Sequence, residues 1–182
     1  MGANSKYITF IMGSVFLMTS NMYAEVNPSK NDALAYTNNN MKDSLVKFGE
    51  KIKVCTKKET DNPMFLNVNE VKNLNITSND FNSIIVTLNY SNYDNCVKKE
   101  EREYIYNSLL YYHVQSVYNN VDKDILDPLM MSLPTTEILE ARIKYDKLPV
   151  NIKEYFEKVI GSEPFDIVKV SLPILKSMGK VK

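Results

Sequence analysis

Apolar residues recur along this chain at the three- and four-residue steps of a helix. Met41, Leu45, Phe48, Ile52 and Cys55 mark one face, and Lys42, Lys47, Glu50, Lys51 and Lys53 fall largely off it. Asp61-Asn62-Pro63 breaks the pattern, so this first helix ends near Lys58. Residues 64–76 fit either a short helix or an extended strap. Thr77, Ser78, Asn79 and Asp80 then offer capping side chains. Phe81, Ile84, Ile85 and Leu88 stand at i, i+3, i+4 and i+7 of a second helix. Residues 90–95 read as a polar turn leading to Cys96.

A third helix is expected over residues 97–119. Its charged first turn gives way to Tyr104, Ile105, Leu109, Leu110, Tyr111, Tyr112, Val114, Val117 and Tyr118. A helix apolar on nearly every side is usually the central one of a bundle. Asp127-Pro128 opens a short segment over 129–133, which Pro134 closes. Thr135 or Thr136 can cap a helix over 137–147 with Ile138, Leu139 and Ile143 inward. Pro149 breaks again, and Asn151 caps a helix carrying Ile152, Tyr155, Phe156, Val159 and Ile160, with Gly161 as its stop. Residues 162–178 read as the last helix, with Pro164 in its first turn and Pro173 kinking or ending it. No repeat and no second domain emerges. The fold expected is all-α: a single helical-bundle-like domain of five to seven helices.

The first residues carry a different signal. A short start with one lysine, Lys6, precedes an uncharged apolar run over residues 7–18. Polar residues and then Ala24 follow, just before Glu25. That is the layout of a secretory leader. The run is about twelve residues, against the roughly twenty needed to span a bilayer. Residues 1–24 are therefore expected to be a cleaved signal peptide, leaving 25–182 as the domain, with 25–30 a ragged start. No cysteine lies near the cut to take a lipid anchor. Lys6 stands where a myristoylation signal wants Ser or Thr. No later stretch is apolar enough to be a transmembrane segment.

Export changes the meaning of the two cysteines. In an oxidising compartment Cys55 and Cys96 read as one disulfide joining the end of the first helix to the start of the third. Lys+Arg and Asp+Glu number 22 each and are interspersed, so no basic field invites nucleic acid.

Candidate chemistry is sparse. His113 is the only histidine. Any Ser-His-Asp or Cys-His site would need it, but no nucleophile-elbow motif accompanies it, and its apolar surroundings read as a buried, hydrogen-bonded position. One histidine and a paired cysteine couple leave too few ligands for a zinc site. Asp122, Asp124 and Asp127 lack the spacing of a calcium loop and read as capping acids. Glu100, Glu101 and Glu103 sit among Lys98, Lys99 and Arg102 as a solvated turn. No cofactor fingerprint is present. Asn75-Ile76-Thr77 and Asn89-Tyr90-Ser91 match the N-glycosylation triplet, which matters only in a eukaryotic host.

The pattern with most character is Tyr104, Tyr111 and Tyr118, which recur every seven residues and so share one helix face. Tyrosine is enriched at protein interfaces, so this row is a candidate partner surface. These features point to an exported, non-catalytic protein with a protein partner, in the periplasm or secreted. Its most concrete form is an immunity or inhibitor protein that occludes an envelope-targeting toxin or hydrolase. The alternatives are an accessory protein of envelope, secretion or pilus assembly, and a small secreted hydrolase using His113.

Overall fold

The computed structural model describes residues 29–119 and 133–180. The leader, the cluster of Asp122, Asp124 and Asp127, and most of the segment over 129–133 lie outside these. The described residues form six α-helices and no strand, with Cys55 and Cys96 joined in one disulfide.

Helix α1 (Lys30–Asp61) begins well before the face marked by Met41. Ser29 starts it with a capping box. Its hydroxyl donates to the Asp32 carboxylate at 2.7 Å, while its oxygen accepts from the Asp32 N–H at 3.2 Å. The inward residues also differ from expectation. Thr37, Ser44 and Cys55 are the buried positions of α1, and Leu45 is 47% exposed. Phe48, Ile52 and Met41 are half-buried. The inward stripe runs Thr37, Met41, Ser44, Phe48, so small polar residues occupy places a hydrophobicity count assigns to Leu45.

Residues 62–67 run extended into α2 (Val68–Asn73), so the ambiguous stretch is part strap and part helix. Asn67 caps α2 by accepting from the N–H groups of Asn69 and Glu70. Helix α3 (Ser78–Asn119) follows with 42 residues. Thr77 and Asp80 exchange cap hydrogen bonds at its start, as their spacing predicts.

The expected turn over 90–95 is absent: the second and third helices are one. Asn92 of this stretch, and Asn89 just before it, bond to a distant loop and leave the helical backbone intact. Asn92 donates to the carbonyls of Gly161 and Glu163, each at 3.0 Å, and Asn89 donates to the Phe165 carbonyl at 2.7 Å. Neither Gly nor Pro interrupts the stretch, so nothing forces a break. Cys96 thus sits within α3 rather than opening a helix.

Helix α4 (Thr136–Asp146) turns Ala141 and Tyr145 inward, with Ile138 half-buried. Leu139 and Ile143, expected inward, are 45% and 56% exposed. Leu139 and Ile143 stand two residues from Ala141 and Tyr145, about 200° around the helix, and a short helix with apolar side chains on both sides does not let periodicity choose between them. Helix α5 (Val150–Ile160) buries Ile152, Phe156 and Ile160 as expected. Its N-cap position is held by Pro149 rather than Asn151. Gly161 ends it at φ 69°, a conformation glycine adopts without steric cost.

Helix α6 (Ile167–Ser177) starts later than the expected position 162. Asp166 is its cap, accepting from the N–H groups of Val168 and Lys169 at 2.9 and 3.0 Å. Pro164 lies in the preceding loop, where its carbonyl accepts from Asn62. Pro disfavours a helical residue before it, which delays the start. Pro173 lies inside α6, and the helix continues past it.

Two regions result. A head is built on the first part of α3: Phe81, Ile84, Ile85 and Leu88 pack with Leu66, Val71, Tyr145, Ile152, Phe156, Phe165, Val170 and Ile174. Each such side chain, when fully buried, contributes roughly 1.5–3 kcal/mol. No α1 residue belongs to this cluster. The second region is an arm, in which α1 runs antiparallel to the rest of α3, from the cystine out to Lys30, whose Nζ donates to the Tyr118 carbonyl at 2.8 Å.

Candidate functional site

The arm carries the tyrosine row, so its register decides what that row can do. The cystine pairs Cys55 with Cys96, and the Phe48 and Tyr104 rings stack with centroids 5.9 Å apart. Lys47 and Glu103 form an exposed ion pair at 3.2 Å. In this register Ser44 falls opposite Ser108. They are 1% and 0% exposed, and the Ser108 hydroxyl has no hydrogen-bond partner among the described residues. The seam of the arm is therefore narrow and partly polar, unlike the head.

Tyr104 is committed to α1 through Phe48. Tyr111 is half-buried; its ring meets Tyr112 at 5.6 Å and its hydroxyl accepts from Gln115 at 2.6 Å. Tyr118 is 41% exposed. The three share a face by their spacing, but Tyr104 on that face is spent on the arm itself.

The solvent-facing row of α3 is a different one. Tyr106, Leu110, His113 and Val117 follow steps of four, three and four. Tyr106 is 65% and Val117 60% exposed; His113 is exposed and Leu110 half-buried. Tyr106 also borders a shallow groove with Asn40, Asp43 and Lys47 of α1 and Glu103 of α3. Tyr36, 66% exposed, lies one helical turn beyond Asn40. This flank brings aromatic and apolar groups together with a charged border. The signal that separates the two rows is Ser108: a small residue in phase with Tyr104 and Tyr111 marks where two helices approach closely.

His113 departs from expectation. The surroundings that suggested burial are apolar in sequence only, because among the described residues the second part of α3 is covered chiefly along its α1 side. His113 is exposed instead.

The head holds a second polar recess, an open groove of about 510 Å³ lined by Thr87, Asn92, Arg142, Tyr145, Asp146 and Glu157, among others. The Tyr145 hydroxyl donates to the Glu157 carboxylate. Burial, and then the bonded Glu157 charge, push this phenol well above its ordinary range, so it remains a proton donor. Tyr155 bonds Glu70 at 2.9 Å and is pushed up to about 12 by burial and by that carboxylate. The Thr87 hydroxyl is buried without a partner among the described residues. These groups can hold polar atoms, but they include no activated nucleophile.

Both cysteines are spent in the disulfide. Among the described residues no cluster of His, Cys, Asp or Glu could hold a metal ion, and no helix is long and apolar enough to cross a membrane. Asn89 of the second glycosylation triplet is half-buried and bonded to Phe165, so that amide is already engaged.

Compared with protein-family models, curated proteins and solved structures, the chain finds no significant match. Its class is thus defined by its own geometry: an all-α domain in which a two-helix arm is stapled by a disulfide to a helical head.

Proposed function

We propose that this is an exported protein that acts by binding another protein through its arm. One observation carries the reading: the arm leaves the aromatic and apolar side chains of Tyr36, Tyr106, Val117 and Tyr118 exposed. Rigid tyrosines bury area at low entropic cost and are enriched at binding hot spots. The leader read in residues 1–24 and the cystine support action in the periplasm or outside the cell. The most concrete form remains an immunity or inhibitor protein, with the arm entering the cleft of an envelope-targeting toxin or hydrolase and the charged border meeting its rim.

Mature protein is expected to begin at Glu25, which N-terminal mass spectrometry on native material checks. It is expected to capture a partner from the producing cell's envelope and to titrate that partner's activity to zero at a 1:1 ratio. Changing Tyr36, Tyr106 and Val117 together to Ala should lower recovery at least tenfold while leaving the circular dichroism unchanged, since exposed substitutions usually move stability by about 0.5 kcal/mol or less. Unchanged recovery would remove this flank as the contact. An assembly accessory is the second reading, favoured by the same exposed row if the protein self-associates; sedimentation of the mature chain alone decides between them.

A further inference from the structure

We infer that the cystine makes the docking of α1 conditional on oxidation, so that the arm is assembled only outside a reducing compartment; its use, though not its chemistry, rests on the binding role proposed above. The hydrophobic cluster of the head contains no residue of α1. Of the three buried positions in that helix, Thr37 and Ser44 are polar, and the third is Cys55 itself. The helix packs mainly on α3. Among the described residues, the direct bonds that α1 and its C-cap Asn62 make to the rest of the head lie past Cys55: Lys58 to Glu163 at 2.8 Å, the Thr60 carbonyl to Lys169 at 3.1 Å, and Asn62 to Pro164 at 2.9 Å.

Residues 30–54 therefore depend on the seam and on the bridge behind it. They include Asn31, Asn38, Asn39 and Asn40, poor helix formers, so this stretch has little helicity to draw on alone. The bridge closes a sequence separation of 41 residues, which removes much of the freedom α1 would gain by leaving.

The chemistry is ordinary thiol–disulfide exchange. Cys55 is fully buried, whereas Cys96 is partly exposed. The thiolate of a dithiol reductant attacks the Cys96 sulfur, the S–S bond breaks, and Cys55 leaves as a thiolate that takes a proton. The second thiol of the reductant then resolves the mixed disulfide. Cys96 becomes a free thiol, and the reductant ends as its own disulfide, two electrons having passed to the cystine. In the cytosol the chain would keep its head and lack a fixed arm; oxidation after export would lock the arm in place.

Amide hydrogen exchange on the full chain tests this, oxidised against reduced with dithiothreitol, with no partner present. Amides of residues 31–54 should exchange about 100-fold faster or more after reduction. Those of residues 81–88 and 152–160 should keep their protection, and reoxidation should restore the arm. The pair Cys55→Ala and Cys96→Ala should match the reduced protein; if that variant fails to fold, the reversible reduced wild type still gives the reading. Unchanged exchange in 31–54 overturns the inference, as does loss of head and arm together. Neither result touches the partner assay, so failure here and failure of the binding role are distinguishable.

Discussion

The first and second parts of α3 belong to one helix, yet they are held by different forces. Up to Val97 the helix buries Phe81, Ile84, Ile85 and Leu88 in the head; beyond it, Ser108 is the one buried residue. The second part has no shortage of apolar side chains, with Ile105, Leu109, Leu110 and Val114 all half-buried. What differs, among the described residues, is the number of neighbouring elements. Parts of α2, α4, α5 and α6 surround the first part in the head, while α1 lies along the second. Composition supplies the side chains, but the surrounding helices decide which of them leave water.

The largest expected effect contrasts one aromatic from each region. Phe81→Ala should cost about 3–5 kcal/mol and lower the whole protein's denaturant midpoint, because Phe81 is fully buried and packs against Phe156. Phe48→Ala, which removes the half-buried partner of Tyr104, should cost about 1.5–2 kcal/mol, with faster exchange confined to the arm. Equal costs would break the distinction between head and arm.

Next comes the bond that replaces the expected turn. Asn92→Ala leaves the Gly161 and Glu163 carbonyls without this donor and should cost about 1–3 kcal/mol. Circular dichroism should still report an unbroken α3, since the backbone does not need the side chain. A loss of helicity would mean that the loop bonds hold the helix together there.

A change of opposite sign tests the polar seam. Ser108→Ala removes a buried hydroxyl without a partner among the described residues, so it should be neutral or stabilise by about 1 kcal/mol in urea melts. A clear destabilisation would show that this hydroxyl finds a partner in solution.

The smallest expected effect is at high pH. The Tyr145 and Tyr155 phenols are raised above their ordinary 10.0 in the folded state. Their contribution is therefore present below pH 10 and lost as pH rises through the raised values. Stability should fall from pH 10 toward 12. Tyr155→Phe should flatten part of that slope and leave the arm's exchange unchanged.

Much of the fold is legible in the chain, and the exceptions share a cause. The cystine, the Thr77–Asp80 cap, the core face from Phe81 to Leu88, and α5 with its Gly161 stop each follow from local chemistry. The continuity of α3 through residues 90–95 does not, because Asn92 looks like a turn residue until the loop it bonds, some seventy residues away, is in place. Leu45, Leu139 and Ile143 mislead for a related reason: helical spacing defines stripes but does not say which stripe meets a neighbour. The tyrosine row shows the same limit. Its heptad spacing is real, but Phe48 lies across from Tyr104 and draws that face toward α1.

The unbroken run of α3 has a mechanical consequence. A helix of 42 residues is about 63 Å long, and roughly half of it projects past the cystine. A tilt of about 10° where it leaves the head would swing its tip by about 6 Å, given the 1.5 Å rise per residue. A small repacking around Asn92 and the loop it grips would thus become a visible displacement at Val117, as a pointer magnifies the turn of its pivot.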